Sequence, residues 1–201
     1  MRTVANKKDF LIVSAIGLAF GLLLIPVLEN IKPPQWRLDV LRAVILPLGF
    51  MIFSNIALWV GGIIGFKIPA IWNFTKFGAV GSSNALLDLG IINFLSLIFK
   101  IYSGFWLAIF NVASISVAVF NSYLLNRFWS FSKDDSVTTT GKFIDWRQFS
   151  RFLAINALTI IINTALVYGL TTLVGAPSGI SEAVWENITK LIATPITLII
   201  N

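Results

Sequence analysis

The sequence predicts an all-α polytopic transmembrane helix bundle of six helices, the last four forming two parallel-repeat hairpins, and three observations carry that expectation. The chain of 201 residues is 57% hydrophobic and only 12% charged, against about 25% charged in an ordinary soluble domain, and its mean hydropathy is +0.86. Its apolar residues gather into six runs of the length that crosses a bilayer, about 17 to 25 residues. These runs do not alternate and are far longer than a barrel strand, so helices have to satisfy the backbone in lipid.

The first run, Phe10 to Leu28, follows Arg2, Lys7 and Lys8. That basic start resembles a signal-peptide n-region, but the run is long and no small-x-small cleavage site follows, so it reads as a retained span. The second run is Val40 to Phe66, with Pro47 in its first turns. The third and fourth are Phe77 to Phe99 and Phe105 to Trp129, the fifth Phe149 to Val174, and the sixth Ala183 to Asn201 with Pro195 inside it. Membrane helices tolerate such prolines because neighbouring groups satisfy the freed carbonyls. Gly17 with Gly21, and Gly61 with Gly65, make small-xxx-small faces suited to close helix packing or dimerisation.

The longest polar stretch, Ser132 to Gln148, divides the last four helices into two hairpins. Its first part reads as a flexible linker, while Phe143 to Phe152 mixes aromatic and charged residues and reads either as a segment on the membrane surface or as a plain loop. Residues 1–70 then form an N-terminal hairpin and residues 71–201 a four-helix domain. With the N-terminus cytoplasmic, that side carries Arg2, Lys7, Lys8, Lys67, Lys76, Arg127, Lys133, Lys142, Arg147 and Arg151, and the other side Lys32, Arg37, Arg42 and Lys100. Ten against four favours both termini in the cytoplasm of a multi-pass inner-membrane protein. Trp36, Trp72, Trp106, Trp129, Trp146 and Trp185 fall at span ends, as an aromatic belt requires.

Composition also excludes functions. The chain has no Cys and no His, which removes thiol nucleophiles, the usual zinc ligands and the commonest general base near neutral pH. No paired carboxylates, nucleophile-base spacing or metal-ligand cluster is present, so neither an enzyme nor a cofactor nor a metal is expected. The net charge of +6 does not indicate nucleic acid, because the basic residues lie in short gaps between apolar runs and not on one exposed stripe.

The two hairpins resemble each other. Residues 74–90, FTKFGAVGSSNALLDLG, lie over residues 149–165, FSRFLAINALTIIINTA, setting Phe74 against Phe149, Lys76 against Arg151, Asn84 against Thr159 and Asp88 against Asn163. The second helices set Ala113 and Ser114 against Ala193 and Thr194, and Asn121 against Asn201. A parallel repeat predicts a pseudo-twofold axis along the membrane normal, with any shared site at the repeat interface.

A charged side chain at bilayer depth costs roughly 2.5–3.5 kcal/mol and needs a reason. Asp88 lies near the middle of its run, and Asn84, four residues earlier, shares its face. Asp88 reads either as a hydrogen-bond acceptor for a ligand in a polar cavity or as a partner of Lys190 or Asn163 that holds the bundle together. Lys190 reads as a local ion pair with Glu186, one helical turn before it. Lys76, Arg127 and Arg151 cluster at the cytoplasmic helix ends, where they serve as topogenic charges or bind phosphate.

At FTKFGAVGSSNALLDLG, at NSYLLNRFWSF (Asn121 to Phe131) and at QFSRFLAINALTIIINTALVYGL (Gln148 to Leu170), the chain resembles the GtrA-like family. These are small four-helix membrane proteins of bacterial surface-polysaccharide modification, also found as membrane domains of polyprenyl-phosphate sugar synthases. The resemblance covers residues 72–201 and leaves the N-terminal hairpin outside it. The family's second repeat ends with an Asn-aromatic-Lys-Phe segment, so truncation at Asn201 is expected. The resemblance implies handling of a polyprenyl-phosphate-linked sugar, with Asn121, Asn126 and Arg127 in the motif and Asp88, Asn84, Lys76, Arg151 and Asn163 as further ligand-binding candidates. Alternatives are a membrane scaffold anchoring a cytoplasmic glycosyltransferase and a small-solute transporter; the lipid bilayer is a partner in each, and a homo-oligomer is compatible with all three.

Overall fold

The computed structural model describes residues 3–130 and 146–200. Among them the chain forms six α-helices and no strand: α1 (Lys7–Ile31), α2 (Val40–Lys67), α3 (Pro69–Phe99), α4 (Gly104–Leu125), α5 (Trp146–Tyr168) and α6 (Glu182–Ile200). α4 runs on into a π-helical stretch, Asn126–Ser130, and α5 into another, Gly169–Val174. All six expected runs are helical. Arg2, Phe131, the polar stretch from Ser132 to Asp145, and Asn201 lie outside the described residues. The remainder of the expected surface segment, from Trp146 onwards, is the opening of α5 itself.

The largest difference from expectation is at α3, which begins at Pro69 and not at Phe77. Pro69 occupies the first helical turn, where a missing N–H sacrifices no hydrogen bond. Only Ile68 separates it from α2. With 31 residues α3 is about 46 Å long, beyond the roughly 30 Å of a hydrocarbon core, so it projects past the bilayer. The end of the bundle that gathers the starts of α1, α3 and α5 is called here the basic end. There a capping box fixes α1: Asp9 N–H donates to Asn6 Oδ1 at 3.0 Å, and Asn6 N–H donates to Asp9 Oδ2 at 2.9 Å.

α1 lies along α2 and α3, α4 packs between α3 and α5, and α6 closes the ring against α5 and α3 while also touching α1. The glycine faces serve these contacts within one chain. At Gly17 a β-carbon would strike Ser54 and the backbone of Phe50, and at Gly21 the backbone of Pro47, so both let α2 approach closely. Gly61 and Gly65 meet Thr75 and Trp72 of α3 in the same way.

α2 turns Ile45, Leu48, Ile52, Phe53 and Ile56 outward, all exposed, a surface that only lipid can cover. Among the described residues five helices are long and apolar enough to cross a membrane. α6 carries Glu182, Glu186 and Lys190, and it is held by its interior position: Glu186, Asn187, Thr189, Lys190 and Ala193 are all buried. Two of the tryptophans expected in the aromatic belt are core residues. Trp72 and Trp129 are buried with Val13, Leu58 and Val80, because the long α3 and the π-helical end of α4 bring them against α1, while Trp106 and Trp146 are exposed as a belt requires.

Candidate functional site

Polar residues from four of the apolar helices meet at one centre. Asp88 Oδ1 on α3 lies 2.7 Å from Lys190 Nζ on α6 and accepts Ser114 Oγ of α4 at 2.6 Å. Lys190 also donates to Asn111 Oδ1 on α4 and, at 3.5 Å, to Asn163 Oδ1 on α5. Asn111 Nδ2 donates to Asn163 Oδ1 at 3.2 Å and to Thr164 Oγ1 at 2.9 Å. Each helix of the two hairpins therefore contributes to one hydrogen-bonded cluster. An ammonium group is tolerated there because a carboxylate neutralises it and amide oxygens satisfy its protons.

Asp88 is thus paired in the way its bundle-holding reading anticipated. It is also the more open member of the pair, with a side chain 13% exposed against 2% for Lys190. A cavity of about 370 Å³ lies at the pair, bounded by Ala85, Asp88 and Leu89 of α3, Lys190 and Leu191 of α6 and Phe20 of α1. The expected ion pair between Lys190 and Glu186 is corrected: Lys190 turns across the bundle to Asp88, and Glu186 Oε1 accepts Ser96 Oγ at 3.0 Å. Helical spacing put the two residues on one face, but the partner on another helix binds more closely.

A second polar layer lies towards the end opposite the basic one. Asn93 Nδ2 donates to Asn187 Oδ1 at 2.9 Å, and Asn30 Nδ2 of α1 donates to Asn93 Oδ1 at 2.8 Å. Tyr102 Oη donates to Asn30 at 3.3 Å. Towards the basic end, Asn121 Nδ2 donates to Asn84 Oδ1 at 2.8 Å and to Ser83 Oγ at 3.3 Å.

At the basic end itself the candidate cations have different surroundings. Lys76 Nζ is 2.9 Å from Asp9 Oδ1 and lies over the rings of Trp72 and Trp129, at 5.1 and 5.5 Å. Trp129 Nε1 donates to the same Asp9 oxygen at 2.8 Å. Arg127 donates to Tyr123 Oη at 3.1 Å and stacks against Tyr123 and Phe128. Tyr123 in turn packs on Phe149 and Phe152, joining the end of the first hairpin to the start of the second. Asn126 Nδ2 donates to Ser122 Oγ at 3.3 Å, while its buried Oδ1 has no partner. Arg151 is exposed on α5.

Both hairpins start at the basic end, as a parallel repeat requires. Asp88 and Asn163, matched in the repeat, both reach Lys190. The register that sets Ser114 against Thr194 sets Phe110 against Lys190, so the cation of the centre belongs to the second hairpin alone. Asn111, Thr164, Asn93, Asn187 and Asn30 went unread as site residues. Their signal was a lone polar residue inside an apolar run, which looks unremarkable until a partner on another helix is known. Among the described residues no group of three acidic, His or Cys side chains could hold a metal ion.

A family model described as GtrA/DPMS, transmembrane domain, matches residues 76–201, more than half of the chain. No curated protein and no solved structure matches it.

Proposed function

The chain belongs to the GtrA/DPMS transmembrane-domain family, and from that premise we propose that it handles a polyprenyl-phosphate-linked sugar, moving the sugar or its carrier across the membrane for cell-surface glycan assembly. The observation that carries this reading is the Asp88–Lys190 pair, buried between the two hairpins and bordering a cavity. In low dielectric Lys190 needs an anion beside it. A phosphate entering from the cavity competes with Asp88 for that lysine, and the displaced carboxylate accepts hydroxyl donors of the attached sugar. The site then binds and releases without covalent chemistry. The excess of Lys and Arg at the basic end favours a cytoplasmic position for it, and there Arg127 and Arg151 would meet the anionic carrier first.

The test uses purified protein in liposomes and a radiolabelled short-chain prenyl-phosphoryl-glucose. Protection of the label inside the vesicles is expected with the natural chain and is lost in Asp88→Asn and in Arg127→Ala, with both variants still inserted. Uptake no faster than in protein-free liposomes overturns the reading. A scaffold for a cytoplasmic glycosyltransferase is the second reading, favoured by the exposed Trp146, Arg147 and Arg151 at the basic end. Transport by the purified chain alone contradicts it.

A further inference from the structure

The hairpin α1–α2 lies outside the residues that the family model matches, and the hydrogen bonds described for the central cluster around Asp88 come from α3 to α6. It nevertheless borders, with α3, a cavity of about 410 Å³ that is partly open at its side. The wall is hydrocarbon, supplied by Val13, Ile16 and Phe20 of α1, Phe50 and Phe53 of α2 and Ala79 of α3. Ser54 and Thr75 also border the space, but their hydroxyls are turned back onto their own helices. Ser54 Oγ donates to Phe50 O at 2.5 Å, and Thr75 Oγ1 donates to Ile71 O at 2.8 Å. Ser82 is the one further polar side chain on its border, so the space is lined mainly by hydrocarbon, and apolar cavities of only about 150 Å³ already take up a benzene-sized guest.

This chamber adjoins the charged one. Phe20 and Ser82 border both the hydrocarbon space and the cavity at Asp88 and Lys190. A largely apolar compartment and an ion-paired compartment thus share a wall, a layout that suits a molecule with a hydrocarbon tail next to an anionic head. We infer that the α1–α2 hairpin builds a tail chamber, in which the isoprene units nearest the phosphate lie between α1, α2 and α3 while the head reaches Lys190. The inference rests on the carrier-lipid reading above and gives a task to the part of the chain outside the family match. The volume admits only a few isoprene units, so the remainder of a long chain runs out into the bilayer beside the lipid-facing side of α2.

Gly78 borders the chamber on α3, and a β-carbon placed there meets no atom within 4 Å. Gly78→Leu therefore adds side-chain volume at the border of the space from a position with room for its β-carbon, and Ala57→Leu adds it from α2 as an independent second variant. Binding of geranyl phosphate and of farnesyl phosphate to the full chain in nanodiscs is measured by native mass spectrometry. For the natural chain, farnesyl phosphate is expected to bind several-fold more tightly than geranyl phosphate after each is corrected for its partitioning into protein-free nanodiscs, since the extra isoprene unit gains close packing against the chamber wall. In either filled variant the two ligands become nearly equal while geranyl phosphate still binds. A chain-length effect that survives in both variants overturns the tail chamber and leaves the carrier-lipid reading standing. Failure of the natural chain to bind either phosphate overturns that reading, and the chamber's occupant with it.

Discussion

Two buried lysine–carboxylate pairs hold this molecule together, and their surroundings differ. Lys190 and Asp88 are 2.7 Å apart and Lys76 and Asp9 are 2.9 Å apart. Around the first pair stand the amides and hydroxyls of Asn111, Ser114 and Asn163, with a cavity at its side. Around the second stand the rings of Trp72 and Trp129, with the indole N–H bonded to the same carboxylate. The lesson is that equal distance does not mean equal role. Polar neighbours that can re-aim, next to open space, make a pair that a ligand can divide. Aromatic walls and a capping box make a clasp that fixes α1 to α3 and to the end of α4.

The largest effect is expected at the central pair. Asp88→Leu or Lys190→Met alone leaves one charge buried without its counter-charge and should destabilise the protein by about 3–5 kcal/mol. The double variant Asp88→Leu/Lys190→Met should unfold close to the natural chain, because removing both charges together leaves no orphan. Unfolding in bicelles followed by circular dichroism reads both. A double variant as unstable as the singles contradicts the pairing.

A smaller loss is expected at the clasp. Asp9→Leu should cost about 2 kcal/mol, because Lys76 keeps its contacts with two aromatic rings near the aqueous end. Transport should persist in the folded fraction, and its complete loss there would make the clasp part of the binding path. The smallest effect belongs to the Asn84–Asn121 bond. Asn121→Ala should cost about 0.6 kcal/mol, typical of hydrogen bonds between membrane helices, and a loss several times larger would mean that this pair organises the bundle as the central one does.

Much of the fold could be read from the sequence because lipid imposes one rule, that long apolar runs become helices. Pro69 to Lys76 was the exception: its polar residues hid eight residues of helix, whose charge is matched by Asp9 and whose Trp72 is buried on Gly65. The site was legible in part. Asp88 stood out as a carboxylate in an apolar run, and its repeat mate Asn163 does reach the same lysine. Spacing along one helix points Lys190 to Glu186 and the bundle-holding reading of Asp88 points it across to Asp88, and only the three-dimensional arrangement decides for Asp88. Lys76 reads from the sequence as a topogenic or phosphate-binding cation at a helix end, and its partner Asp9 on α1 comes to light only in three dimensions. Arg127 and Tyr123 were legible as a motif, but the packing of Tyr123 on Phe149 and Phe152, which joins the two hairpins, required the three-dimensional arrangement.

The central claim is that the Asp88–Lys190 pair is a ligand site and not only a strut. Uptake of prenyl-phosphoryl-glucose by liposomes containing the Asp88→Leu/Lys190→Met variant tests it most directly, because that variant is expected to fold. The account predicts a stable, inserted protein whose uptake equals that of protein-free vesicles. Uptake at the rate of the natural chain would reduce the pair to a strut and contradict the account.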